Sequence, residues 1–303
     1  MSSKLRTPSL ADNARRNRGR SRAVHTTQRW LVSLAVIAGL VTLAPRTVRA
    51  QQLSVDQIEV FLKPGDPAHS SAVFNVSNEG ATPVQALIYT ADWDRDSVGG
   101  NRFFPTGTVP ASCRDMVQIF PAQMQLQPHT QQPVRVTLNG ADTLHSSCWD
   151  IVMVEMRDPV RLQQAGRSVS AILRLGTKVY VEPQSAQRSA ELEDMSVVPH
   201  YATPQELADT KGDTAALKKG SDVMLLLKNT GGLQIRVSGT VQFKRPDNTI
   251  AATGKIEEVP LLPGAVRRVY VPIPTLASGK YIAIGVLDFG GEAAGGQVEI
   301  DIP

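Results

Sequence analysis

The acidic run from Asp92 to Asp96 is the most suggestive chemical motif in the sequence. Its aspartates occupy the first, third and fifth positions of Asp92-Trp93-Asp94-Arg95-Asp96, the spacing with which a helix-loop-helix calcium loop begins. Such a loop requires Gly at the sixth position and Glu at the twelfth, whereas Ser97 and Phe103 stand there. We therefore interpret the run as a solvated turn at the end of a strand and expect no metal site.

No motif for enzymatic catalysis is recognisable. The five histidines lie at positions 25, 69, 129, 145 and 200, and no two have the spacing of metal ligands on one strand or helix. There is no GxSxG elbow, Walker loop, dinucleotide-binding glycine motif or HExxH. Catalytic groups can assemble from distant parts of a chain, but together with the fold and location predicted below, this pattern favours a binding or assembly role over an enzyme. No cofactor is expected.

The two cysteines, Cys113 and Cys148, predict one disulfide bond. In an oxidising compartment a lone pair most simply forms a bridge. A redox role is disfavoured because the CxxC spacing that lowers a thiol pKa is missing. A metal site would need further His or Cys ligands nearby.

The first fifty residues have the features of a secretory signal. Residues 30–44 (WLVSLAVIAGLVTLA) form an uncharged apolar run that is shorter than the roughly 20 residues of a membrane span. A basic region precedes this run, and Val48-Arg49-Ala50 follows it, which places small residues correctly for cleavage before Gln51. We predict a signal peptide over 1–50 and a periplasmic mature chain without a membrane span. Because the basic region is unusually long, an uncleaved N-terminal anchor is the alternative.

The net charge of +4 also originates in this segment, which holds ten of the 32 Lys and Arg residues and one of the 28 acidic residues. The remaining 22 basic and 27 acidic residues give a net charge of −5. Because nucleic-acid-binding proteins need basic residues clustered on the folded part, we do not expect a nucleic-acid partner.

From Leu53 onward, short alternating apolar runs separated by Gly, Pro, Asn and Asp predict antiparallel strands. Seven or eight strands in the first half indicate an immunoglobulin-like sandwich. They are predicted over 53–62, 71–77, 83–92, 115–120, 123–127, 133–138, 149–156 and 168–182.

The pattern continues in the second half, after a polar stretch at 183–190 that predicts a hinge. A further polar stretch, 199–220, predicts a loop with one helical turn at 204–208. We predict an all-β chain of two tandem immunoglobulin-like β-sandwich domains, 51–184 and 185–303. The strands of the second are predicted over 191–198, 222–228, 234–243, 249–251 with 254–259, 266–273, 280–288 and 296–302.

Four stretches of the first domain carry a family resemblance. They are an opening strand pair (Leu53–Asp56 and Phe74–Asn78), a proline-flanked strand followed by Arg-Val (Pro121–Pro128, then Val134-Arg135-Val136), Trp149–Pro159, and Ile172–Pro183. In order and spacing they resemble the periplasmic pilus-assembly chaperones of the PapD type, which consist of two immunoglobulin-like domains. The resemblance covers 52–184 in register, whereas the second domain is similar only in architecture and length.

The resemblance implies a chaperone that binds a pilin-like or other secreted β-sandwich subunit and passes it to an outer-membrane usher-type assembly protein. A pilin lacks its last strand, and the chaperone lends an edge strand with apolar residues at every second position. Val169, Ala171, Leu173 and Leu175 meet that requirement. Lys178 stands where the family keeps a hinge lysine that binds the subunit's terminal carboxylate.

One position departs from the family. The arginine that partners the hinge lysine falls at Glu59, where a carboxylate would repel the ligand carboxylate. Either Arg174, on the same face of the strand as Lys178, replaces it, or the ligand is not a pilin C-terminus.

Other interpretations stay open at this point. Alternating apolar residues in a sandwich strand usually belong to the core, and a lysine at a strand end is usually solvated. A structural or adhesive surface protein built of immunoglobulin-like domains is the alternative function, although it should carry a donor segment before its first strand, and the mature chain begins almost directly with a strand at Leu53. A ligand-binding sandwich would need aromatic platforms, and aromatic residues are only 5% of the chain.

Overall fold

The computed structural model describes residues 53–302, except 141–143, 165–166, 212, 214, 216–219 and 292. For residues 160–164 it describes the backbone only. The predicted signal peptide over 1–50 lies outside the described residues. Within them, no helix is long and apolar enough to span a bilayer.

Ten strands in two sheets form the first β-sandwich, which confirms the predicted fold of this half. One sheet has the order β1-β3-β8-β6, from β1 (Leu53–Val55), β3 (Ser71–Asn78), β8 (Gln131–Leu138) and β6 (Val117–Phe120). The second has the order β2-β12-β9-β4-β5, with β7 pairing β4, from β2 (Glu59–Leu62), β12 (Arg174–Val181), β9 (Cys148–Met156), β4 (Val84–Arg95), β5 (Asn101–Phe104) and β7 (Gln123–Leu126). Two further strands, β10 (Val160–Gln164) and β11 (Arg167–Ala171), pair only with each other.

The alternating apolar residues of the two sheets meet in one core, as period-two patterning requires. Phe74 and Val76 of β3 are fully buried in it, as are Val152 and Val154 of β9. Strand β9 is buried on its other face as well, because Trp149, Ile151 and Met153 join a smaller apolar cluster there. This explains why nearly all of β9 is buried.

The predicted strand over 53–62 is interrupted, and its two pieces belong to different sheets. The Asp56 carboxylate accepts the backbone N–H and the side-chain amide of Asn75, both at 2.7 Å. These bonds hold the chain against β3 as it leaves the first sheet. Strand β2 begins only at Glu59, in the second sheet. Alternation alone could not reveal this crossing, because the apolar pattern continues through it.

The predicted strand over 168–182 is also interrupted, at Ile172 and Leu173. The prediction of one continuous strand is therefore wrong. Residues before the break form β11 in the hairpin with β10, and residues after it form β12 in the large sheet. The break separates the part that pairs with β10 from the part that pairs with β9. The alternation of apolar residues in the sequence continues through it.

Seven strands form the second sandwich, again as predicted. One sheet has the order β13-β14-β17 and the other β16-β15-β18-β19. The strands are β13 (Ala190–Pro199), β14 (Ser221–Asn229), β15 (Ile235–Lys244), β16 (Ile250–Leu261), β17 (Val266–Pro272), β18 (Gly279–Asp288) and β19 (Ala294–Ile302). The two segments predicted at 249–251 and 254–259 are thus one strand, β16. Their side chains build a separate core that includes Val241, Phe243 and Leu225.

The predicted helical turn at 204–208 is a short helix, α1 (Pro204–Asp209). The Thr203 side chain accepts a hydrogen bond from the Glu206 backbone N–H, and the Glu206 carboxylate accepts one from the Thr203 backbone N–H. This reciprocal capping box satisfies donors that a helix start leaves unpaired.

The sandwiches touch through polar and apolar groups. The backbone N–H of Arg268 donates to the Ser97 carbonyl at 2.7 Å, and its guanidinium donates to the Ser97 hydroxyl at 2.9 Å. Leu262 of the second sandwich joins the apolar cluster around Trp93 on the outer face of the first. The outer face around Trp93, near the end of β4, is therefore covered by the second sandwich.

The acidic run is not simply a solvated turn, which corrects the interpretation from sequence. Asp92 is fully buried and accepts hydrogen bonds from Gly107, Val109 and Ser112. Asp94 pairs with Arg102. Because β4 extends to Arg95, the run lies largely within a strand. The carboxylates of Asp92 and Asp94 are thus bound to other groups of the protein. The described residues contain no cluster arranged to bind a metal.

Asp150 is a second buried carboxylate beside Asp92. One oxygen accepts the Cys113 backbone N–H at 3.1 Å, and the other has no hydrogen-bond partner. Burial raises the pKa of Asp150 to about 7; the Cys113 bond opposes this shift and the nearby Asp92 adds to it. This group resists ionisation in the folded chain.

The predicted Cys113–Cys148 disulfide is present. Cys148 is the first residue of β9, and Cys113 precedes a turn of 3-10 helix over Arg114–Met116 that leads into β6. The bridge therefore joins the two sheets of the first sandwich.

Removing the bridge should destabilise the first sandwich. A loop of 35 residues contributes up to about 4 kcal/mol in the chain-entropy account. We expect the Cys113→Ala, Cys148→Ala double variant to unfold at a clearly lower denaturant concentration than the oxidised wild type. Reduced wild type, which keeps both side chains, should show a similar loss. An unchanged midpoint in both would contradict a stabilising role.

Replacing Asp150 by Asn should stabilise the chain at neutral pH. The folded pKa of about 7 lies above the usual 3.8, so wild-type stability falls between these values as pH rises and stays reduced above pH 7. The full cost is at most roughly 4 kcal/mol. We expect the advantage of Asp150→Asn in thermal unfolding to grow from pH 4 to pH 7. The exposed Asp115→Asn is the control, and a constant advantage across this range would contradict the account.

Candidate functional site

The outer edge of the last strands in the first sandwich is open. Strand β12 pairs with β9 along its whole length, but with β2 only from Lys178 to Val181. Strand β11 pairs with β10 on one side. Within the described ranges, no strand pairs with the other side of β11, or with that side of β12 before Lys178.

The backbone of β12 shows which groups point to this edge. The Leu173 carbonyl points toward β9, where it accepts the Met156 N–H at 3.0 Å. The Lys178 N–H points to the opposite edge, where it donates to the Ile58 carbonyl at 2.9 Å. Because backbone groups of successive residues point to alternate edges of a strand, those of Arg174 and Gly176 face the open edge. A further strand could bond to them.

The four residues predicted to enter a subunit's groove lie in two environments. Val169 is 49% exposed in β11, and Ala171 is half-buried. Leu173 and Leu175 are half-buried and pack against the core of the first sandwich. The side chains in the hairpin are thus free of the core, whereas the two in and beside β12 are shared with it.

Lys178 lies where the open edge ends. Its ammonium is 4.3 Å from the centroid of the Trp93 ring, an attractive cation–π geometry. The pKa of Lys178 is lowered from 10.5 to about 8, mainly by partial burial and also by the nearby charges of Arg95 and Arg236, while Glu59 opposes the shift. Among the described residues, no carboxylate forms an ion pair with this ammonium.

Arg174 is on the same face of β12 as Lys178, but its charge is already engaged. Its guanidinium binds the Glu155 carboxylate at 2.6 Å. The same carboxylate accepts the Tyr89 hydroxyl at 2.7 Å. The two bonds lower the pKa of Glu155. Arg174 therefore lies in a network along the sheet rather than beside Lys178.

Glu59 is the partner of Lys178 in the parallel register of β2 and β12, as the resemblance placed it. Its carboxylate binds the guanidinium of Arg236, from the second sandwich, at 2.5 Å. Arg236 also binds Glu258 at 2.8 Å. Glu59 is thus held by an arginine of the second sandwich that it shares with Glu258.

A groove of about 780 Å³ lies over the outer face of β12, β9 and β4. Its lining is mainly apolar and includes Ile58, Ile151, Met153, Phe103 and Phe104, with Lys178 and Arg174 on β12. Strand β5, which forms one wall of the groove, was not predicted from the sequence, because its four residues are too few to show an alternating pattern. The adjacent phenylalanines, in a chain so poor in aromatic residues, were the available signal.

Comparison with known proteins finds similarity in structure only. No family model and no curated protein matches the chain. A chain of the chaperone–tip adhesin complex of CFA/I fimbriae biogenesis is 12% identical, with a TM-score of 0.46 over 82% of this chain and 98% of that one. The E. coli chaperone DraB is 15% identical, with a TM-score of 0.39 over 83% and 96%. A chain of the CsuC–CsuE chaperone–tip adhesion subunit complex of Acinetobacter baumannii is 13% identical, with a TM-score of 0.41 over 82% and 98%. At these values the likeness bears on neither partner nor mechanism.

Keeping a charged lysine half-buried at position 178 should cost stability. Below pH 8 the ammonium is charged in both states, so Lys178→Met should raise the free energy of unfolding there, by at most about 3 kcal/mol. Wild type regains stability between pH 8 and 10.5, as the folded state loses its proton first. We expect the advantage of the variant in thermal unfolding to shrink over that range. The exposed Lys63→Met serves as control, and a variant less stable than wild type at pH 7 would contradict this.

Proposed function

We propose that this chain is a periplasmic chaperone that binds a secreted β-sandwich subunit, such as a fimbrial subunit, by adding its open edge to the subunit's sheet. It would pass the subunit to an outer-membrane assembly protein of the usher type. The observation that carries the proposal is the edge formed by β11 and the first half of β12, to which no described strand is paired.

An open edge is a hazard that soluble proteins usually avoid, because it offers unpaired backbone groups to other chains. Here the hairpin extends that edge beyond the sheet and presents Val169 at 49% exposure. An extended partner would gain main-chain bonds from Arg174 and Gly176 and apolar contacts from the hairpin. Strand addition uses this combination for affinity and specificity.

The edge also limits the direction and length of the added strand. Strand β2 occupies the edge from Lys178 onward, so a partner strand must end there. If it runs parallel to β12, its C-terminus arrives at the Lys178 ammonium, which has no carboxylate partner among the described residues. A charge-assisted bond to the terminal carboxylate would fix the register of the pair. In this arrangement, Lys178 binds the C-terminal carboxylate of the subunit.

A proline at position 174 tests the edge directly. Arg174→Pro removes the N–H that faces the open edge and keeps every bond between β12 and β9, whereas Arg174→Gln removes only the charge. We expect a secreted β-sandwich subunit that is co-expressed with the chain to co-purify with wild type and with Arg174→Gln. Arg174→Pro should recover at least about tenfold less, since several edge bonds are disturbed. Equal recovery with both variants, at equal chaperone levels, would refute strand addition.

A further inference from the structure

The second sandwich contains a histidine that lies between two carboxylates. The His200 side chain is only 11% exposed, and its Nδ1 lies 2.8 Å from the carboxylate of Asp222, near the start of β14. Its Nε2 lies 3.5 Å from an oxygen of Glu206, in α1. Asp222 is itself 1% exposed. The imidazole ring therefore links α1 to the sheet, at a place that the proposed function does not use.

Only the charged form of His200 suits both neighbours. A neutral imidazole has one N–H and one lone pair, whereas an imidazolium has two N–H groups, and an ionised carboxylate can only accept. In the neutral ring, an N–H donated to Asp222 leaves the lone pair of Nε2 facing the Glu206 oxygen. That nitrogen is buried without a hydrogen bond in the described part of the chain. Protonation makes it a donor, which can pair with Glu206.

The charges around the ring agree with this geometry. The hydrogen bond to Asp222 raises the pKa of His200 above its ordinary 6.5; burial opposes this shift, and the charges of Asp222 and Glu206 add to it. The charged groups that face the ring are thus Asp222 from β14 and Glu206 from α1. The backbone N–H of Tyr201 donates to the second oxygen of Asp222 at 2.8 Å, and its ring stacks on Tyr270 of β17. The site therefore favours the imidazolium from both sides.

Among the described residues, little else holds α1 in place. The helix has six residues, too few to persist alone in water, and none of them is buried. Its capping box and its Gln205–Asp209 bond are contacts within the helix and its cap. Glu206 connects these contacts to the sheet, because one of its oxygens accepts from Thr203 and the other faces His200.

We propose that His200, Asp222 and Glu206 form a pH-dependent latch, which holds α1 on the second sandwich when His200 is protonated and releases it when His200 is neutral. The latch is complete below pH 6.5 and is lost as the pH rises through the raised pKa of His200 in the folded chain. It lets the chain change one surface of its second sandwich with the pH of its surroundings. The inference does not depend on strand addition, because the open edge belongs to the first sandwich.

Hydrogen exchange of α1 tests the latch on the purified chain. The backbone N–H groups of Leu207 and Thr210 donate to carbonyls of the helix and its cap, so their protection, corrected for intrinsic exchange rates, reports whether α1 is formed. A hydrogen bond between charged groups is worth about tenfold or more in an equilibrium. We therefore expect wild-type protection in α1 to fall at least about tenfold from pH 5.5 to pH 8.5, whereas the amides of β14 should keep theirs.

Two variants of α1 separate the latch from a general effect of charge. Glu206→Gln keeps an oxygen for the cap and offers neutral His200 an N–H, so α1 should stay protected at both pH values. Asp209→Asn removes an exposed acid of the same helix and should retain the wild-type loss. In nuclear magnetic resonance spectra, the His200 ring should titrate above pH 6.5 in the wild type and at a lower pH in Glu206→Gln.

Equal protection of α1 in the wild type at pH 5.5 and pH 8.5 would overturn the inference. So would a wild-type His200 ring that titrates at or below pH 6.5. These two measurements decide the matter even where a variant does not fold. A loss in Glu206→Gln as large as in the wild type would also refute the latch, as would a pH dependence abolished by Asp209→Asn.

Discussion

The position at which the chain crosses from the first sheet to the second determines what the edge of β12 can do. The Asp56 carboxylate accepts two hydrogen bonds from Asn75, which hold the chain on the first sheet, and β2 begins only at Glu59. In the parallel register this places the first paired residue of β12 at Lys178. The edge is thus closed after Lys178 and open before it, for a geometric reason set some 120 residues earlier in the chain.

The charges at this boundary are arranged across both sandwiches. Glu59 does not pair with Lys178, because it binds Arg236 of the second sandwich, which also binds Glu258. The Lys178 ammonium lies instead against the Trp93 ring. Trp93 is itself fixed, since its indole N–H donates to the Asp150 carbonyl and the Trp149 indole N–H donates to the Trp93 carbonyl. Among the described residues, the Lys178 ammonium therefore has a ring contact and no ion pair.

The strand that supports the edge is among the most firmly held in the molecule. Strand β9 is paired on both sides and buried on both faces, and its first residue carries the disulfide. Asp150 and Lys178 lower the stability of this region at neutral pH, because burial disfavours the charged form of each. Because β12 is paired to β9 along its whole length, it stays in place although some backbone groups on its other side are unpaired.

What the sequence determined by itself was the periodic part of the molecule. Alternation and turn residues were sufficient to predict two β-sandwiches and most of their strands, since burial of one face imposes a period of two wherever it occurs. The disulfide followed from there being two cysteines. The residues from Val169 to Lys178 were also identified from sequence, although their proposed roles came from a resemblance and stay predictions.

The tertiary structure alone decided the breaks and the pairings. The crossing at Asp56 and the hairpin of β10 and β11 leave the apolar pattern unchanged, so periodicity could not show them. The burial of Asp92, the engagement of Glu59 by Arg236 and the groove walled by Phe103 each join residues far apart in sequence. Such contacts depend on how sheets and sandwiches pack, and packing is a property of the assembled chain that local pattern does not encode.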